Sequence, residues 1–383
     1  MRILVIGGGV FGLTGALALA GRGHAVTLLD PGPIPHPRAA STDLTKAVRA
    51  DYADPFYVAW MEEALPRWEA WAADWPDGPS PYHRDGMLFL TRRPLVGDGF
   101  EARAFALLRA RGHPVELLDA DALARRFPAW AAGGWIHGYV NPQAGWVESG
   151  RVVGGLATWA RAAGVQVRAG AGVTALLDEG PGVVLSDATR LRAERVVVAA
   201  GAWTRTLLPE AAARLVVTGQ PLVFLAPRER APWRAPAFPV WAADLATTGW
   251  YGFPLLADGT LKIGHHGAGT PIGPDDERLV PAAHVERLRA FLAEALPPLA
   301  DAPLASTRLC LYADTPDGDF LITPVPGRDG VVVASGGSGH GFKFAPVLGD
   351  LVADVVEGRD APRAARFAWD RAGATFGDAA RAR

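Results

Sequence analysis

The sequence predicts an α/β protein in which a nucleotide-type domain with a parallel sheet carries an inserted antiparallel-β-rich (α+β) part, on three observations. The chain opens on an apolar strand, a glycine turn and an apolar helix. Two Pro- and Gly-punctuated blocks of short strands, about 81–149 and 216–319, break the helical periodicity. Runs of β-branched residues return at 195–203 and again in GVVVASGG near the far end. At 383 residues the chain exceeds the size at which a single core stops growing, so two domains are expected.

Each element has its own warrant. Residues 2–6, RILVI, read as a short buried strand, and GGGVFG follows at 7–12 before the helical run LTGALALAGRG. Gly7, Gly9 and Gly12 satisfy G-x-G-x-x-G in the strand–turn–helix setting of a Rossmann-type unit: the first for the tight turn, the second for close approach of a pyrophosphate, the third for helix–strand packing. Phosphate charge then meets the helix N-terminus, beside Val10 and Phe11. The second strand, AVTLLD (25–30), ends in Asp30, 23 residues after Gly7, where a carboxylate can accept hydrogen bonds from a ribose.

Trp60, Trp68, Trp71 and Trp75 fall in one helical region and read as core packing. A helix is expected at about 150–164, with strands near VQVRA and GVTALL. RVVVAAGAW (195–203) reads as a buried strand that runs through Ala200 to a second glycine turn at Gly201, beside Trp203. FLITPVP and GVVVASGG close the sheet and a helix follows at about 345–356. The nucleotide domain is therefore expected from 1–80, 150–215 and 320–383, and the substrate domain from 81–149 and 216–319.

Composition excludes several classes. A net charge of −2 argues against a nucleic-acid or membrane-surface partner. There is no apolar run of membrane-spanning length and no export leader, so a cytoplasmic location is the expectation. The single cysteine, Cys310, cannot form an internal disulfide. His265 and His266 lack a third ligand at sensible spacing, so no metal is expected. Of 38 Lys plus Arg only Lys46, Lys262 and Lys343 are lysines, leaving 35 arginines. Either codon bias explains this, or each lysine is kept where a compact ammonium is needed.

A sheet that resumes after long insertions, with no second G-x-G-x-x-G, suits a flavoprotein more than a nicotinamide dehydrogenase built of consecutive βα units. The motifs GGGVFG, DLTKAVRADY (43–52), YGFPLLADGTLKIGHH (251–266), LCLYADTPDGDF (309–320) and SGHGFKF (338–344) together resemble the sarcosine oxidase branch of the D-amino-acid-oxidase-like FAD flavoproteins. DLTKAVR, with Lys46 where that branch has arginine, is more similar to the fructosyl-amino-acid and saccharopine oxidases.

The resemblance implies an FAD oxidase of a secondary amine of an amino acid, with molecular oxygen as acceptor and hydrogen peroxide as product. It implies that Cys310 carries the flavin through sulfur, a thiolate being the nucleophile such a bond needs, held at a strand end near the ring edge. It implies that Lys262 activates oxygen, and that Arg49 and Lys343 hold the substrate carboxylate. His266 and Tyr251 are implied near the substrate. Lys46 and Arg49, three apart, would face the flavin together from a helix. The implied cofactor contacts are Gly7, Gly9, Val10, Phe11, Gly12, Asp30, Ser41, Thr42, Lys46, Val173 at the adenine, Ala200, Gly201, Trp203, Cys310, the Gly339–His340–Gly341 turn at the flavin, and Lys343. No residue is an obvious strong base, so the amine is expected to bind neutral, its pKa lowered by nearby cations.

Overall fold

The strand Arg2–Ile6 is apolar on both faces because both sides of the sheet it centres are covered: Ile3 and Val5 pack into a core shared with helices, Leu4 and Ile6 into one shared with Leu176, Val183 and Leu185 of a separate three-stranded antiparallel sheet. The structure, a computed structural model describing residues 1–371, places it in a six-stranded sheet. The order is Leu321–Pro324, Val331–Ser335, Arg195–Val198, Arg2–Ile6, Ala25–Asp30, Gln166–Ala169. All neighbours are parallel except the edge pair, where Leu321–Pro324 runs antiparallel to Val331–Ser335. This is the α/β sheet expected, built from segments far apart in the chain. Of the C-terminal stretch 320–383, residues 372–383 lie outside the described residues.

The glycine turn does what its pattern requires. Gly7 sits at φ +109°, a conformation L side chains rarely adopt, and its N–H donates to Leu29 O at 2.8 Å. A Cβ on Gly12 would lie 1.9 Å from Gly7 O, so only glycine lets the helix Val10–Gly21 sit this close to the strand. That helix packs against Ala345–Glu357 and Ser149–Ala162, and the three share one apolar core with the helix Pro55–Ala73.

A second, nine-stranded sheet is mainly antiparallel. It draws Met87–Thr91, Glu116–Asp119 and His137–Asn141 from one stretch of chain. From a later one come Val216–Leu225, Val240–Ala243, Trp250–Gly252, Leu261–His265, Thr270–Pro271 and Leu304–Asp314. One neighbouring pair, Met87–Thr91 with Val240–Ala243, is parallel. Its core is rich in aromatics, including Trp130, Trp233, Trp241 and Trp250.

Four expectations are corrected. Lys46 and Arg49 do not share a helix: Lys46–Val48 is a strand paired antiparallel with Gly145–Val147. Seven residues with two β-branched among them cannot offset the cost of a helix nucleus when a ladder partner is at hand. The strand at 195 ends at Val198, and Gly201, at φ +54°, opens a 3₁₀ turn through Trp203. The helix holding Trp60, Trp68 and Trp71 ends at Ala73, so buried Trp75 packs from beyond its C-cap. Cys310 lies inside the eleven-residue strand Leu304–Asp314 and not at a strand end, because pairing with Val216–Leu225 continues past it to Asp314.

Candidate active site and nucleotide cleft

Two cavities share part of their walls. The first, about 480 Å³, is lined by Gly7, Gly9, Val10, Phe11, Asp30, Ser41, Lys46, Val173, Ala200, Gly201, Trp203, Gly339, His340 and Gly341, among others. The second, about 450 Å³, is lined by Lys46, Arg49, Tyr251, Lys262, His266 and Lys343, among others. Lys46, Tyr312, Gly339, His340 and Phe342 line both, so these five residues mark the seam. Both volumes lie in the range of small-ligand and cofactor sites.

The first cavity suits a dinucleotide. The N-terminus of the helix starting at Val10, set close to the strand by the Gly7–Gly12 contact, is where a pyrophosphate would sit. Ser41 Oγ accepts from Val10 N at 3.0 Å, tying the turn to the segment that follows the second strand. Asp30, buried at the strand end, accepts from Gly8 N at 2.7 Å and Gly32 N at 3.0 Å and still lines the cavity. Of the sequence-named contacts, Gly12, Thr42, Cys310 and Lys343 are not on this wall. Gly12 is covered by Gly7. Thr42 Oγ1 is buried with no hydrogen-bond partner in the protein and lies on neither cavity wall. Lys343 lines the second cavity instead.

Cys310 is on neither wall; it is 2% exposed and packs with Leu222, Phe224 and Tyr312. Its place is two residues before Tyr312 on the same strand, hence on the same face of the sheet. It lies close enough to Tyr251 and Lys262 for a charge on sulfur to be felt at both.

In the second cavity the cations come from distant segments. Lys262, 1% exposed, donates to Asp43 Oδ2 at 2.5 Å and Thr45 O at 2.7 Å, and its ammonium stands 4.8 Å from the centre of the Phe253 ring. Burial pulls its pKa down to about 8, with Asp43 opposing that fall. Arg49 is wedged among the rings of Tyr52, Phe89 and Phe100 at 5.2, 5.8 and 5.9 Å, and donates to Asp51 O. Behind it Asp51, fully buried, accepts from Asn141 Nδ2 at 2.9 Å, and burial pushes its carboxyl above the usual range. Lys343 Nζ donates to Tyr52 OH and His340 O, each at 3.2 Å. Burial raises the Tyr251 phenol, which therefore stays protonated and can donate.

Asp43 is the residue the sequence reading left without a role. Both Lys46 Nζ, at 2.9 Å, and Lys262 Nζ reach the same oxygen, Oδ2, and the carboxyl group is held well below the carboxylate range despite its burial. The usable signal was its place three residues before one of only three lysines.

A protein-family model described as DAO, FAD dependent oxidoreductase, matches residues 2–355. The chain belongs to that family. As a DAO-family protein it is 29% identical over 370 residues to N-methyl-L-tryptophan oxidase of Escherichia coli O157:H7, covering 93% of this chain and 94% of the relative. It is 28% identical over 395 residues to L-saccharopine oxidase of Schizosaccharomyces pombe, covering 93% and 90%. Among solved structures it resembles the fructosamine oxidase Amadoriase II of Aspergillus fumigatus in complex with FSA, with TM-score 0.81, 27% identity and coverage of 99% and 90%. The DAO-family assignment makes the chain an FAD-dependent oxidoreductase and accords with the inserted α/β architecture. Among the described residues, no helix is long and apolar enough to cross a membrane.

Proposed function

We propose that this chain is an oxidase of N-substituted amino acids located in the cytoplasm, with oxygen as its acceptor. The observation that carries the reading is the arrangement of fixed cations around a cavity that opens onto the nucleotide cleft: Arg49 and Lys343 on the substrate side, Lys46 at the seam, Lys262 buried beside it. The names of the relatives support a secondary amine as the oxidised group. FAD, when bound, supplies the acceptor for a hydride and hands two electrons on to oxygen. Overall the amine gives up two electrons and two protons, one O2 takes them to become H2O2, and water hydrolyses the resulting imine.

The chain's own residues set the stage for that exchange. Arg49 offers a guanidinium held among rings, and Lys343 a point charge, so together they suit an anionic carboxylate. Their charge also lowers the pKa of a nearby ammonium, favouring the neutral amine that hydride loss requires. His266 and protonated Tyr251 line the same wall and are assigned to contact with the substrate. Lys262 is assigned to the oxygen step, where a buried cation stabilises negative charge as it develops.

The same reading gives residues 1–80, 150–215 and 320–383 to FAD binding and 81–149 and 216–319 to the substrate side, supported by the origin of the strands in the two sheets. It joins the flavin to Cys310, supported by LCLYADTPDGDF and by Tyr312, two residues on, at the seam. The test of function is anaerobic mixing of purified protein with paired N-methyl and primary amino acids. Bleaching of the visible flavin band by N-substituted members alone supports the reading; bleaching only by primary amines, or by none, overturns it. Yellow colour kept in an acid-precipitated pellet, and lost in Cys310→Ala, tests the linkage.

A further inference from the structure

Three observations single out a carboxylate that touches neither cavity. Asp43 is 6% exposed, its side chain only 1%, yet one oxygen takes two ammonium groups: Lys46 at 2.9 Å and Lys262 at 2.5 Å. Its other oxygen accepts from Leu44 N at 2.7 Å. Its carbonyl is pinned by Ser149 Oγ at 2.7 Å and Gly150 N at 3.1 Å, at the start of the helix Ser149–Ala162. Every acceptor of the residue is thus committed, and its place is fixed from a third element.

A carboxylate so strongly favoured in its charged form is a poor base, so it does not take the amine proton. What it can do is hold two like charges side by side. Two ammonium groups sharing one oxygen repel each other, and without the anion between them one would shed its proton or swing away. We propose that Asp43 is the positioning residue that locks Lys262 and Lys46 into one cationic pair at the seam and so sets the rate at which the enzyme gives electrons to oxygen. This rests on the assignment of Lys262 to the oxygen step.

The groups facing Lys262 are few and come from each element packed on it. Asp43 and the Thr45 carbonyl come from the loop before Lys46, and Lys46 itself from the short strand. Cys310 comes from the long strand Leu304–Asp314, and the π face of Phe253 lies against the ammonium. Asp43 raises the ammonium's proton affinity; burial and Lys46 lower it.

The chain's three lysines make a direct test feasible. Holoenzyme labelled with [ε-13C]lysine gives three side-chain signals, assigned by single Lys→Met variants, and each titrates on its own curve. Wild type is expected to show Lys262 with a midpoint near 8. In Asp43→Asn that midpoint should fall by at least about one pH unit; in Lys46→Met, which leaves Asp43 in place, it should rise. Each protein, reduced with one equivalent of dithionite, is then mixed with oxygen across pH. Asp43→Asn should reoxidise at least about tenfold more slowly at pH 8 and recover toward lower pH, while Asp43→Glu restores most of the rate. A Lys262 midpoint unmoved in both variants overturns the proposal. So does a midpoint that moves while the oxygen rate and its pH profile stay as in wild type. Dithionite replaces the amine here, so these outcomes are independent of whether any amine is the substrate.

Discussion

Gly12→Ala puts the nucleotide turn to a quantitative test. The added Cβ would stand 1.9 Å from Gly7 O, 3.1 Å from Gly7 C and 3.4 Å from Ala199 Cβ. Relief requires about 1.5 Å of separation before the closest contact reaches the 3.4 Å of ordinary packing. The obstacle is backbone, and Gly7 is held to Leu29 O and to a φ of +109°. The helix must therefore lift off the sheet, with a cost of about 3 kcal/mol, the upper end for overpacking. FAD content should fall with it, because the helix N-terminus proposed to meet the pyrophosphate moves with the helix. Gly21→Ala is the control on the same helix: its Cβ meets nothing within 4 Å, and it should gain roughly 0.5 kcal/mol from helix propensity. The assay is the ratio of bound flavin to protein, with thermal unfolding of both variants. A Gly12→Ala protein as flavin-loaded and as stable as wild type would refute the reasoning.

Other consequences follow from the same geometry. Lys262→Met should slow reoxidation by oxygen roughly 100- to 1,000-fold, the usual effect of removing one preorganised charge, while a dye acceptor is reduced at a rate much closer to wild type; stopped-flow mixing with oxygen checks it. Arg49→Lys keeps the charge and loses the fork held between Tyr52, Phe89 and Phe100, so KM for the amino acid should rise about tenfold, measured in steady state against a panel of substrate concentrations. His265 and His284, rings 5.6 Å apart, both have pKa values lowered by burial to about 4, against 6.5 unfolded. The unfolded chain then binds more protons below pH 6.5, so their contribution is intact above 6.5 and lost as pH falls toward 4. Thermal unfolding should show Tm dropping across that window, and the drop should shrink in His284→Gln.

The nucleotide end was legible because its chemistry is local. Gly7, Gly12 and Asp30 are dictated by a turn, a close contact and a strand end within 30 residues, and all three are where that logic puts them. Lys262 and Lys343 stood out through rarity against 35 arginines, and both line the second cavity. What the pattern could not show were contacts across the chain. Asp43 acquires meaning only once Lys262, 219 residues away, lies against it. Lys46 and Arg49 read as a helical pair because spacing is all a short segment offers, whereas the ladder with Gly145–Val147 made it a strand. Cys310 was expected at a strand end because the turn TPDGD follows closely, yet pairing with Val216–Leu225 carries the strand past it.

The central claim is that Arg49 and Lys343 hold the substrate's carboxylate so that its amine faces the seam at Lys46, Tyr312 and His340. A crystal of the holoenzyme soaked with an alkoxyacetate, an ether in place of the secondary amine that cannot be oxidised, tests it most directly. The account predicts the carboxylate between the Arg49 guanidinium and the Lys343 ammonium, with the ether oxygen toward the seam. A ligand bound with its carboxylate on Arg103 or Arg366 at the other cations of the cavity wall, and Arg49 untouched, would contradict it.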